Sequence, residues 1–245
     1  MPVIALQGLR GGMGATSVTA ALAWALQQLD ESVLAIDFAQ DNLLRLHFNT
    51  PFELARGWAR AEQDGGNWQQ GAMRYCENLD FLPFGRLTAS ERLNLQQHCR
   101  QHPTRWQDNL AQLSASAQYN WILLDLPADD EALAQQALPL ADCVFMLIAP
   151  DANCQVRLHQ QALPEGCRFL INHYFAASQL QQDLHQLWLQ TLGGLLPVAI
   201  HRDEAMAEAL AVKQPLGEYR PESLAADEVL TLANWCLINL KDTAP

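Results

Sequence analysis

The chain has 245 residues, 49% hydrophobic and only 17% charged, so it carries enough apolar side chains for a full core and is neither disordered nor fibrous. Fifteen Lys and Arg against 27 Asp and Glu give a formal charge of −12, which argues against a protein that coats nucleic acid, because phosphate neutralisation needs clustered cations. The longest apolar run, 144–150, is far short of the roughly 20 residues of a spanning helix, and the opening Met-Pro-Val-Ile-Ala-Leu-Gln lacks the charged and long apolar regions of a signal peptide, so a cytoplasmic chain is expected.

Residues 3–6 form a short apolar run that ends in a glycine-rich turn. Residues 16–29 lack Gly and Pro, are rich in Ala and Leu, and read as a helix. A second apolar run, 33–36, is closed by Asp37. Strand, glycine turn, helix and strand in this order make a βαβ unit and imply a parallel sheet. Further strands are predicted over 79–82, 121–124, 144–149, 169–172 and 196–200, and helices over 104–118, 179–192, 203–213 and 223–240. The stretch 49–102 is the least regular, with Gly65-Gly66 and many Gln, and is expected to hold helical excursions or a loop region. About seven strands alternating with helices predict an α/β fold, a doubly wound, mostly parallel sheet flanked by helices, as one domain over 1–245.

The turn reads Gly8-Leu9-Arg10-Gly11-Gly12-Met13-Gly14-Ala15-Thr16-Ser17. At the start of a helix, such a loop aims backbone N–H groups and the helix dipole at a phosphate. Two phosphate-binding patterns compete. A dinucleotide fingerprint would use Gly12-x-Gly14-x-x-Ser17, with Asp37 about 20 residues on for a ribose, but has Ser where Gly or Ala is wanted. A P-loop would place Thr16 on Mg²⁺, but has Leu9 for its first glycine and Ala15 for its lysine. A tight turn without a ligand is the plain alternative; three glycines opening a helix exceed what packing alone requires. Asp125, ending Ile122-Leu-Leu-Asp125-Leu-Pro127, favours the P-loop, since a carboxylate at a strand end can hold Mg²⁺ through water.

Arg10-Gly-Gly-Met-Gly-Ala-Thr16 resembles the deviant Walker A motif of the MinD/ParA family of P-loop ATPases, which normally reads Lys-Gly-Gly-x-Gly-Lys-Thr. Asp125-Leu-Pro-Ala128 resembles its switch II, Asn172 matches an Asn that ends a family strand and contacts adenine, and Ile200-His-Arg-Asp203 matches the loop flanking the base. The resemblance runs from residue 3 to about 240. It implies ATP and Mg²⁺ as cofactors and a homodimer joined through the nucleotide face. The implied nucleotide contacts are Arg10, Gly11, Gly12, Met13, Gly14, Ala15, Thr16 and Ser17, with Asn172, Ile200, His201, Arg202 and Asp203. The implied magnesium set is Thr16, Asp37 and Asp125, the carboxylates acting through water. Within the family, Asp41-Asn-Leu-Leu-Arg-Leu46, Asp151-Ala-Asn-Cys-Gln155 and the strings 157–164, 201–210 and 226–236 resemble the branch carried in enterobacterial cellulose-secretion loci. That branch implies short accessory proteins of the BcsR and BcsE type as partners. Through them it implies recruitment to the inner-membrane cellulose synthase, with neither nucleic-acid binding nor direct membrane insertion.

Three departures matter. Ala15 cannot neutralise the β/γ-phosphates as the P-loop lysine does. Arg10 replaces the lysine that reaches across a dimer, and offers a planar fork in place of a point charge. Asp37-Phe-Ala39 lacks the second switch I carboxylate that helps place the attacking water, leaving Asp37 and Asp41 as the catalytic candidates, with Asp41 two residues late. These changes favour an ATP-bound assembly switch that turns over slowly or not at all. The rivals are a pseudo-ATPase scaffold on the same fold, an iron–sulfur reductase and a partition-type ATPase. Cys143 and Cys154 stand in no Cys-Gly-Gly-like turn, and the charge balance opposes the last.

Other features read plainly. The six cysteines form no Cys-x-x-Cys pair and are expected as buried free thiols. His98 and His102, at i, i+4, are expected on a solvated helix face, without a third ligand. The last helix has no cation before Lys241 and is expected to pack in the core or a dimer, not in lipid. Trp58 and Trp68 are candidates for exposed partner anchors.

Overall fold

A computed structural model describes residues 1–128 and 131–241, so the end of the expected domain, 242–245, lies outside the described residues. β1 (Val3–Gly8), α1 (Ala15–Gln28) and β2 (Val33–Asp37) form the opening βαβ unit. The next segment carries α2 (Trp58–Gln63), β3 (Met73–Cys76), β4 (Leu79–Leu82), α3 (Ala89–Gln101) and α4 (Arg105–Ser116). β5 (Trp121–Leu126), α5 (Glu131–Ala137), β6 (Cys143–Ile148), α6 (Ala152–Gln160), β7 (Arg168–Tyr174), α7 (Gln179–Thr191) and β8 (Leu195–His201) follow in strict alternation. α8 (Glu204–Val212), α9 (Leu216–Tyr219) and α10 (Leu224–Leu240) complete the described chain.

The strands make one eight-stranded sheet in the order β3-β4-β2-β5-β1-β6-β7-β8, parallel except for β3. β1, β2, β5 and β6 are buried along their whole length, which explains their near-continuous apolar runs. Chain order reverses around β1: β2 and β5 lie to one side, while β6 and the strands after it lie on the other. Ligands of open parallel sheets bind at the carboxyl ends of the strands beside such a reversal. The register sets Asp37 of β2 directly opposite Asp125 of β5 at those ends.

The sheet has eight strands where about seven were expected; the additional one is β3. It is an edge strand, only partly buried, joined antiparallel to β4 across a register shift. The irregular stretch 49–102 is largely ordered into α2, the β3–β4 hairpin and α3. α3 owes its start to a reciprocal capping box, with Thr88 accepting from the Glu91 amide and Glu91 accepting from the Thr88 amide.

Trp58 and Trp68 are not exposed anchors. Their exposures are 0% and 6%, because they pack with Phe38, Phe84 and Trp106 in an aromatic cluster beside the end of β2. Trp58 Nε1 donates to the Asp37 carbonyl at 2.7 Å, so this cluster also fixes the strand end that carries Asp37. An indole so placed combines large apolar burial with a satisfied N–H.

α10 buries Ala225, Val229, Leu232 and Cys236 and packs on α1 and β8, while Leu224 and Ile238 remain exposed. No helix among the described residues is long and apolar enough to cross a membrane. All six thiols are free, and only Cys76 is not fully buried. His98 and His102 lie exposed with their rings 4.4 Å apart.

Candidate functional site

The glycine turn links β1 to α1 and opens onto a cleft of about 750 Å³. Gly12 and Gly14 have φ of 77° and 80°, where a side chain is strained. A Cβ on Gly14 would also come within 2.6 Å of Asn172 Nδ2. Asn172 is buried and donates to the Met13 carbonyl at 2.8 Å. The turn is thus held from beneath by β7, and Gly14, as N-cap of α1, leaves the first N–H groups of the helix without a side-chain cap. Those amides and the dipole make a ready anion site.

Across the cleft stand the ends of β2 and β5. Asp125 has no exposed surface, and neither of its carboxylate oxygens has a hydrogen bond of acceptable geometry. Thr16 lies close enough to favour its charged form, yet burial prevails, aided by the nearby Asp41, and pushes the carboxyl up to about 7. Asp37 is raised as well, first by burial and then by the charge of Asp125. Unlike Asp125, it is tied into its own loop, accepting from the Ala39 amide at 2.8 Å and the Leu44 amide at 3.3 Å. Asp41 is exposed and lines the cleft.

An orphaned buried carboxylate beside a hydroxyl and facing an anion site fits a hydrated divalent cation. No group of three or more His, Cys, Asp or Glu side chains among the described residues is arranged to hold a metal directly. That favours an ion such as Mg²⁺, which keeps most of its waters and takes further oxygens from a phosphate ligand. Thr16 and Asp125 are the residues suited to it, while the Asp37 carboxylate is already engaged by two backbone amides.

Arg10 lines the same cleft, and its guanidinium is held within its own chain. Its Nη2 donates to Asp151 Oδ2 at 2.7 Å and its Nη1 to the Gly11 carbonyl at 3.2 Å. Asp151 also caps α6 by accepting from the Cys154 amide at 2.8 Å. Ser17 meets the buried His47 at 3.3 Å, whose imidazole burial pushes down to about 4, so it stands neutral behind the first turn of α1.

The structure therefore gathers the turn 10–17 with Asp41, and sets Asp37 and Asp125 beneath them. The later residues are placed differently. Ile200 has no exposed surface and serves the core. His201 pairs with Glu228, its Nδ1 lying 2.5 Å from the carboxylate. Asp203 caps α8 through the Ala205 amide and reaches the Ala225 amide at 3.3 Å. None of these lines the cleft. The Arg202 amide donates to the Tyr174 carbonyl at 2.8 Å, and its charge is felt by His173, which stands beside Gly14.

Among the lining residues that carried no local signal in the sequence are Gln96 and Arg100 of α3. The available clue was the pair Leu95 and Cys99, four apart and buried, which turns the next positions round the helix toward the cleft.

Comparison with known proteins adds the lineage. The family described as Cellulose biosynthesis protein BcsQ matches residues 1–237. The Cellulose biosynthesis protein BcsQ of Escherichia coli K12 is 54% identical, with the match covering 98% of this chain and 95% of that protein. Among solved structures, the MinC:MinD cell division complex of Aquifex aeolicus superposes with a TM-score of 0.78 at 16% identity, covering 100% of this chain and 98% of the other. The septum site-determining protein MinD of Pyrococcus horikoshii, complexed with Mg-ADP, gives 0.70 at 21% identity, covering 99% of each chain. At these identities the two structures establish the shared fold.

Proposed function

The chain belongs to the BcsQ family of cellulose biosynthesis proteins, and from that premise we propose that it is an ATP-binding, dimeric switch that supports assembly, localisation or activity of the bacterial cellulose synthase secretion complex. The observation that carries this reading is the pairing of an uncapped α1 N-terminus behind Gly12 and Gly14 with the orphaned carboxylate of Asp125, buried beneath the cleft that Leu126 and Pro127 line. A phosphate ester with its divalent cation supplies both missing partners at once. A neighbour of the same fold, the Pyrococcus horikoshii MinD, is complexed with Mg-ADP, which agrees with that assignment.

In this reading the amides of the turn orient the phosphates, Thr16 and Asp125 hold Mg²⁺ through water, and Arg10 serves the partner copy of the dimer. The bound Mg²⁺ supplies charge neutralisation at the β- and γ-phosphates. Asn172 keeps the turn in shape through the Met13 carbonyl, and His47 backs Ser17. Asp41, an exposed carboxylate that lines the cleft, is in this reading the group that would meet the attacking water. Accessory proteins of the BcsR and BcsE type would read the dimer and recruit it to the inner-membrane cellulose synthase.

Size-exclusion chromatography with light scattering tests the reading. Mg-ATP is expected to convert monomer to dimer, and Mg-AMP is not. A protein that stays monomeric and takes up no labelled ATP would remove nucleotide from the account and leave the scaffold reading in its place. Turnover is a separate matter. Ala15 opens α1 in the cleft where the family's lysine would stand. Ala15→Lys is expected to raise phosphate release on the order of tenfold, less than the ~10²–10³ that removing one preorganised donor costs an evolved site. Unchanged release, measured by a coupled phosphate assay, would show that the absent lysine does not limit hydrolysis.

A further inference from the structure

A triphosphate in the cleft carries several negative charges and would face Asp41, with Asp37 and Asp125 behind it. Cations must offset this, and the cleft has few. The only lysines of the chain are Lys213 and Lys241, and neither lines it. Its lining cations are Arg10 and Arg100. Arg10 is taken up by Asp151 at 2.7 Å. The Arg100 side chain has no ion pair or hydrogen bond to another described residue, and the residue is exposed at the cleft wall.

Its position is dictated by the packing of α3. Leu95 and Cys99 bury one stripe of the helix. Gln96 and Arg100 follow each by one residue, about 100° round the axis, and so form the adjacent stripe that lines the cleft. The C-terminal end of α3 is clamped by Gln136 of α5, whose amide donates to the carbonyls of Cys99 and His102. α5 itself follows the Asp125-Leu-Pro-Ala128 segment, so the helix that presents Arg100 is braced against the switch II side of the site.

We propose that Arg100 is the phosphate-binding cation of the cis subunit, supplied from α3 in place of the lysine absent at Ala15. A guanidinium suits the task, since its planar fork can bridge two phosphate oxygens and it stays charged at any working pH. A long side chain arriving from the cleft wall also differs from a lysine rooted in the turn. It binds the outer phosphates without being fixed to the loop that cradles them. The site would then hold ATP firmly without the cation that a hydrolysing P-loop places between the β- and γ-phosphates. This inference rests on the nucleotide reading of the same cleft.

The test is the affinity of the full-length protein for Mg-ATP, Mg-ADP and AMP by isothermal titration at fixed salt. Arg100→Ala is expected to weaken Mg-ATP roughly five- to tenfold, the range for one charge-assisted contact at an exposed site, and to leave AMP unchanged. Arg100→Lys should recover part of the loss. Placing a lysine in the turn, as Ala15→Lys in the Arg100→Ala background, should recover it by the other route. Because Arg100 is exposed and unpaired among the described residues, an unaltered melting temperature without nucleotide is expected for Arg100→Ala. Wild-type affinity for Mg-ATP in Arg100→Ala overturns the proposal, as does an equal loss for ATP and AMP. If the wild-type protein itself binds none of the three, the nucleotide reading fails, and that outcome is visible before any variant is made.

Discussion

Asp125→Asn is expected to stabilise the ligand-free protein by on the order of 2–4 kcal/mol at pH 8 and, in the same stroke, to remove its response to Mg-ATP. The stabilisation follows from the orphaned carboxylate. With no exposed surface and no hydrogen bond of acceptable geometry, the ionised form is held up mainly by its proximity to Thr16. Burial raises its pKa from 3.8 to about 7, and each pH unit of that interval is worth about 1.4 kcal/mol. The sign is fixed by proton binding. Between these pH values the folded chain holds a proton that the unfolded chain has released, so stability falls as pH rises through the window and the full cost is present above about 7. Asp37 opposite it is displaced in the same direction and adds to the slope. An amide of the same shape has no such dependence, so Asp125→Asn should melt roughly 5–10 °C above wild type at pH 8 and close to it near pH 4. Ligand should close most of the gap: saturating Mg-ATP, at about a hundred times its Kd, would add about 2.7 kcal/mol to wild type and little to the variant. Thermal melts at both pH values, with and without Mg-ATP, give all four numbers. A variant less stable than wild type at pH 8 without ligand would mean that the carboxylate makes favourable contacts, and would remove the main ground for a cation site.

Much of this arrangement was legible in the sequence because it is written locally. The turn between β1 and α1 announces itself by Gly11, Gly12 and Gly14, and the strand ends by Asp37 and Asp125, each closing an apolar run that the sheet buries on both faces. What escaped was set by tertiary contact. β3 pairs on one side only, across a register shift, and buries too little to show a pattern. α3 buries only Leu95 and Cys99, so its polar sequence resembles a loop until the capping box at Thr88 is noticed. Trp58 looks like an exposed anchor from its surroundings. It is core because Phe38 and Trp106, from separate segments, close around it at 5.8 and 5.0 Å. Arg100 enters the site only through the docking of α3 on α5. The partner of Arg10 lies 141 residues away, at the cap of α6, where nothing near the glycine turn points to it.

That partner competes with a second copy of the chain for Arg10. For Arg10 to reach a phosphate of a second copy, its guanidinium must leave Asp151. Arg10→Ala should therefore abolish ATP-dependent dimerisation, while removal of the Asp151 charge should make dimerisation easier. Deleting the side chain would confuse the result, because Asp151 also caps α6, a role worth about 1 kcal/mol. Asp151→Ser keeps a capping oxygen and drops the charge. With the two side chains 29% and 35% exposed, their ion pair is worth about 1 kcal/mol at most. Its loss should lower the ATP concentration at half-dimerisation by up to about fivefold. Arg10→Lys should retain part of the dimerisation, since it keeps the charge and loses the fork. Light scattering across an ATP titration reads all three variants. Full dimerisation of Arg10→Ala would refute the cross-dimer role, and an Asp151→Ser curve shifted to higher ATP would show that Asp151 assists the dimer rather than holding Arg10 back from it.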